Sequence, residues 1–158
     1  MHSFLRLIPL LGLLIFTVTS PSLLAANISG QWNLHISSSD LESPQPGSDL
    51  RPEYRSPEGF MRLPVPEAGN YRIMVHRIDQ RWPNSLKLSV KPAGDQSGTR
   101  VMKGQGIYQN IGTAPRNLMT IQAGSASDIS VEYRLDGVSA SIPMGSYSTI
   151  VVYTFTSE

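Results

Sequence analysis

The sequence predicts an all-β fold, an antiparallel immunoglobulin-like β-sandwich of about seven to nine strands. Three observations carry this expectation. Apolar and polar residues alternate with a period of two in segment after segment, so that each segment has one buried and one wet face. No stretch long enough for a helix shows apolar residues at helical spacing. The alternating segments are separated by runs of Gly, Pro, Ser and Asn, which are the residues of turns.

The first 26 of the 158 residues read as an export leader rather than as part of the fold. Arg6 supplies the positive charge of a short basic region, and an apolar run of twelve residues, Leu7 to Val18, follows it. That run has the length of a signal-peptide core and falls short of the roughly 20 residues of a membrane-spanning helix. Pro21 ends it, and Ala25-Ala26 offers small residues for cleavage before Asn27. The alternative is an uncleaved N-terminal anchor. The expected organisation is a signal peptide over 1–26 and a single β-sandwich domain over 27–158. The protein is expected to be exported in a bacterium, to the periplasm, the cell surface or the medium, meeting the membrane only through its leader.

Within the domain, Trp32, Leu34 and Ile36 alternate with Asn33, His35 and Ser37, which predicts a first strand. Residues 38–60 contain four prolines and no sustained alternation, and are expected to form a long irregular loop. Tyr71, Ile73 and Val75 predict the next strand, and Leu86, Leu88 and Val90 another. Gly104, Gln105 and Gly106 precede a short candidate strand at Ile107-Tyr108. Ile129, Val131, Tyr133 and Leu135 share one face of a strand that ends at Asp136-Gly137. Asp-Gly between alternating runs is the signature of a tight hairpin, which predicts a partner strand at Val138–Ile142. Ile150 to Phe155 is apolar on both faces, as expected of a central or covered strand.

Composition excludes several classes of chemistry. The chain has no cysteine, which rules out disulfides, thiolate catalysis, cysteine-ligated metals and a lipid-modified cysteine at the cleavage site. Beyond the leader it carries 12 basic and 12 acidic residues, a balance that does not suit phosphate-backbone binding, so no nucleic-acid partner is expected. His35 and His76 both fall on the polar phase of their segments, and two imidazoles without a third ligand do not make a metal motif. Gly124-Ser125-Ala126 lacks the second glycine of a nucleophile elbow. Asp95-Gln96-Ser97-Gly98 has one residue too many for an aspartic-protease signature. Gly104 to Gly112 lacks the lysine of a phosphate loop. The acidic residues Asp40, Glu42, Asp49, Glu53 and Glu58 are interspersed with Arg51 and Arg55, which offset a calcium site. The chain is therefore read as a non-enzyme with no catalytic residue, cofactor or metal.

One segment stands out as a candidate interaction surface. Arg77, Asp79, Arg81 and Trp82 follow a predicted strand, and an aromatic ring among arginines suits contacts with glycans or proteins. Its alternative role is structural, with Trp82 capping the end of the sandwich and the arginines paired to Asp79 or its neighbours.

The stretch Gly145 to Thr156, in which Gly-x-Tyr leads into an alternating strand, is similar to the ending of spore-coat-U-type and archaic chaperone–usher pilin subunits. It also resembles the ending of WxL cell-wall-binding domains. Thr149 stands where the spore-coat pattern has an aspartate, and Tyr153-Thr154-Phe155 stands where the WxL pattern has Trp-x-Leu. The resemblance implies an exported surface sandwich and carries over no functional residue. Two functions follow as expectations. The first is a surface structural or adhesive module that associates with itself or a protein partner through sheet edges. The second is a monomeric ligand-binding module that uses Trp82 or the 38–60 loop.

Overall fold

A computed structural model describes residues 10–13, 29–43, 45, 47–65, 67–92, 98–104, 106–124 and 128–158. Among them are eleven strands and no α-helix. The strands are β1 (Leu10–Leu13), β2 (Ser29–Trp32), β3 (Glu53–Arg55), β4 (Met61–Pro64), β5 (Gly69–Arg81) and β6 (Lys87–Pro92). They continue with β7 (Thr99–Lys103), β8 (Gln109–Asn110), β9 (Arg116–Ala123), β10 (Asp128–Asp136) and β11 (Ser148–Ser157). All pairings are antiparallel. Most of the expected leader, with the expected cleavage site at Ala25-Ala26 and Asn27, lies outside the described residues, as do Asp95–Ser97 and Ser125-Ala126. No helix among the described residues is long and apolar enough to cross a membrane.

Nine strands form the sandwich. One sheet runs β3-β10-β6-β8, with β4 also on β10, and the other runs β11-β5-β9-β7. The alternation seen in the sequence explains the core directly. Ile73 and Val75 of β5, Leu88 and Val90 of β6, and Ile129, Val131, Tyr133 and Leu135 of β10 are all buried on the inner faces. Val151, Tyr153 and Phe155 of β11 complete that layer. The two tyrosines meet hydroxyl to hydroxyl across the core at 2.7 Å, and Tyr133 also lies against the Met61 sulfur at 3.4 Å. Each buried O–H thereby finds a partner that an apolar core would not supply.

Strand β10 is the hub of its sheet. One of its edges is shared by two short strands: β3 pairs with residues 134–136 and β4 with 128–131. Buried Ser56 fills the gap. Its N–H donates to Tyr133 O at 2.9 Å, and its hydroxyl accepts from Tyr133 N at 2.8 Å, standing in for a ladder carbonyl. The 38–60 stretch is thus irregular but anchored. It holds a 3-10 turn at Ser38–Asp40 capped by Ser37, a bridge between Leu41 and Leu50, and β3.

Two sequence expectations are corrected. Asp136-Gly137 does not turn into a hairpin, and Val138–Ile142 forms no strand. Gly137 has φ +82°, donates to Pro52 O at 3.0 Å and passes so close to Ser85 that a Cβ there would sit 2.2 Å from its carbonyl oxygen. The glycine serves a close crossing of chains, because the partner edge of β10 is already taken by β6. The first predicted strand is shorter than its alternation. Residues 33–37 lie outside any ladder, although Trp32 and Ile36 are buried, Leu34 is half-buried, and Asn33 and His35 are exposed. Trp32 stacks on Tyr133 with ring centroids 6.3 Å apart. Side-chain burial needs only an extended backbone beside a core, so alternation survives where pairing does not.

Candidate interaction surfaces

Strand β5 is the longest in the molecule, and its end carries the candidate residues. The core-facing phase of β5 reads Ile73, Val75, then Arg77 and Asp79, so a cation enters the inner layer where the apolar core runs out. Arg77 Nη1 lies 3.0 Å from Asp79 Oδ1, and its guanidinium sits 5.5 Å from the centre of the Trp82 ring. Asp79 Oδ1 also lies 3.0 Å from the hydroxyl of buried Thr149, which sits at a register irregularity of β11. The Trp82 indole N–H donates to Leu86 O at 3.0 Å, and Trp82 packs against the core. Arg77, Asp79 and Trp82 therefore form one knit cluster capping this end of the sandwich. Arg81 leaves it and lies 5.8 Å over the ring of Tyr147.

A second cluster, which the sequence reading did not reach, occupies the outer face of the β10 sheet. Arg134, Lys91 and Arg55 approach the Tyr108 ring at 4.5, 5.0 and 5.7 Å. Register explains the gathering: Arg134 faces Arg55 across one pair of strands, and Glu132 faces Lys91 across another. Directly opposed arginines repel. Glu53 lies 2.7 Å from Arg55 and 3.8 Å from Arg134, and the Tyr108 ring lies over both. Lys91 pairs with Glu132 at 2.7 Å, and the Tyr108 hydroxyl donates to the same carboxylate. Burial and that hydrogen bond push the Tyr108 hydroxyl up to about 12. Burial pushes Glu132 up, but hydrogen bonds from Lys91 and Tyr108 outweigh it and leave the carboxyl below its ordinary value. Charges here cancel locally, so the cluster fastens the 106–110 segment to the sheet. Only the spatial register of four segments brings these residues together, and no sequence motif signals it.

The third surface is the edge of the other sheet. Among the described residues, strand β11 has a ladder on one side only, with β5. Along its other side runs Leu10–Leu13, with Cα atoms within 8 Å. Sheets stacked face to face stand about 10 Å apart, so this approach is edge to edge. Among the described residues, the same segment is the only strand paired with β2, through Leu10 opposite Trp32 to Leu13 opposite Ser29. The strand expected to be central or covered is thus the edge of its own sheet among the described residues and is bordered by residues 10–13.

Among the described residues no three His, Cys, Asp or Glu side chains gather as a metal site. His35 is exposed on the extended 33–37 stretch, and His76 lies on β5 with Nδ1 buried and unbonded. Comparison with protein-family models, with curated proteins and with solved structures returns no match for this chain.

Proposed function

We propose that the protein is an exported, non-enzymatic surface module that associates through the free edge of β11. One observation carries this reading. The outer side of a strand that is apolar on both faces is bordered by Leu10–Leu13, a piece of the expected leader. Cleavage before Asn27 removes that neighbour and, with it, the strand paired with β2. The processed molecule then has an open apolar edge, the kind of surface that pairs with another strand. The Gly145–Thr156 resemblance to pilin-like endings points the same way. A monomeric module reading through Trp82 is less well supported, because the indole is hydrogen-bonded and covered on one face by Arg77.

The test compares the exported protein with a form that keeps residues 1–26, by light scattering over a concentration series. Self-association of the exported form that is weaker in the retained form is the expected result. An exported protein that stays monomeric throughout, and that binds no strand peptide copying residues 29–36, overturns the reading.

A further inference from the structure

The chain crosses from one sheet to the other between β8 and β9, and the crossing leaves an open cleft of about 450 Å³ beside β5 and β6. Two backbone bonds fix its floor: Ile111 N donates to Leu88 O and Gly112 O accepts from Arg77 N, each at 2.8 Å. A register irregularity then decides which side chains meet there. Ile73 pairs with Met119 but Met74 pairs with Asn117, so Leu118 is an inserted residue and is buried. Beyond the irregularity Arg116 falls opposite Val75, a core-facing position, at the point where the sandwich opens. A bulge of this kind re-aims a side chain. The cleft is consequently lined by Arg77, Lys87 and Arg116, with Asn84, Asn110 and Thr113 between them, and by no carboxylate.

Two of the three cations of this cleft are not matched by a carboxylate of the protein among the described residues. Among the described residues, neither Lys87 nor Arg116 has a carboxylate within ion-pair reach. Asp79 touches Arg77 from outside the lining. The contact lacks hydrogen-bond alignment, so the buried Nε and Nη1 atoms of Arg77 have no acceptor. The chain thus satisfies this guanidinium only in part, and the 15 % of the Arg77 side chain that stays exposed lines the cleft. The contrast with the Tyr108 cluster is sharp, since there every cation has a carboxylate.

We propose that this cleft binds a tetrahedral oxyanion, a phosphate or sulfate group, either free or carried on a larger ligand. Two guanidinium groups and an ammonium match its charge, and the two amides and the hydroxyl of the lining can donate to its remaining oxygens. The site contains no residue of β11 or of 29–37, so it stands or falls separately from edge association.

The test titrates isotope-labelled exported protein with inorganic phosphate, inorganic sulfate and a phosphorylated monosaccharide, with sodium chloride at matched ionic strength as the control. Saturable shifts of the Gly112, Thr113 and Ala114 amides and of the Arg77 Nε–H are expected with the oxyanions and not with chloride. The double variant K87Q/R116Q changes two exposed residues and should keep the wild-type melting temperature. It should weaken binding about tenfold or more, the scale of one lost charge-assisted contact. Tighter binding of the sugar ester than of the free ions assigns the group to a larger ligand, and the reverse assigns it to the free ion. Absence of saturable shifts, equal shifts with chloride, or unchanged affinity in the double variant overturns the proposal.

Discussion

The hydroxyls of Tyr133 and Tyr153 are the sole acceptable partners for each other in an otherwise apolar layer, apart from the Met61 sulfur. Burial raises both phenols above their ordinary range. Tyr133→Phe leaves the Tyr153 hydroxyl buried with nothing to receive its hydrogen, and a loss of about 1–3 kcal/mol is expected. The double variant Y133F/Y153F removes both polar groups and should recover most of that loss, which denaturant titration of the three variants reads directly. Gly137 makes a different demand. Its φ of +82° and the Ser85 carbonyl 2.2 Å from any Cβ require the one residue without a side chain. Gly137→Val should cost about 1–3 kcal/mol, seen as a lowered denaturation midpoint. The cost arises from a chain crossing rather than from a hairpin.

At the scale of elements, one side chain ties the early irregular stretch to the late one. The Asp49 carboxylate accepts from Ala140 N at 2.7 Å, Leu50 N at 2.8 Å and the Ser139 hydroxyl at 3.2 Å. Those backbone donors, Ala140 foremost, hold its pKa below the ordinary value. A depressed carboxyl favours the folded state above its unfolded pKa of about 4 and loses that contribution as pH falls through the folded value. The protection factor of the Ala140 amide, its exchange taken relative to the intrinsic rate at each pH, should therefore fall on acidification below about pH 4, and Asp49→Ala should show the lowered protection already at neutral pH. The sequence disclosed β5, β6 and β10 through their alternation and β11 through an apolar run of strand length. It concealed β9, where the inserted Leu118 puts two buried residues side by side. It disclosed Arg77, Asp79 and Trp82 as one neighbourhood because they are close along the chain. Arg81 went to Tyr147, and the Tyr108 cluster and the basic cleft formed, through pairings between strands far apart in sequence, which no local pattern encodes.

At the scale of the whole molecule, the segment 32–37 belongs to the core by its side chains more than by its backbone. Trp32 is 8 % exposed and Ile36 1 % exposed, yet residues 33–37 join no sheet. Trp32→Ala should therefore destabilise by about 3–5 kcal/mol, measured by denaturant unfolding, because it empties the space beside Tyr133. A substitution there that left stability unchanged would show the segment to be held elsewhere than in its own domain. The position of β10 in the chain has a consequence for the order of events during synthesis. Before residues 128–136 leave the ribosome, β3 and β4 have no pairing strand, and β6 has only the two residues of β8. One whole layer of the sandwich must wait for the last fifth of the chain, with its apolar strands unpaired in the meantime. A polypeptide arranged this way is expected to keep that layer unassembled until translation is nearly finished, at a time set by the position of one strand in the gene.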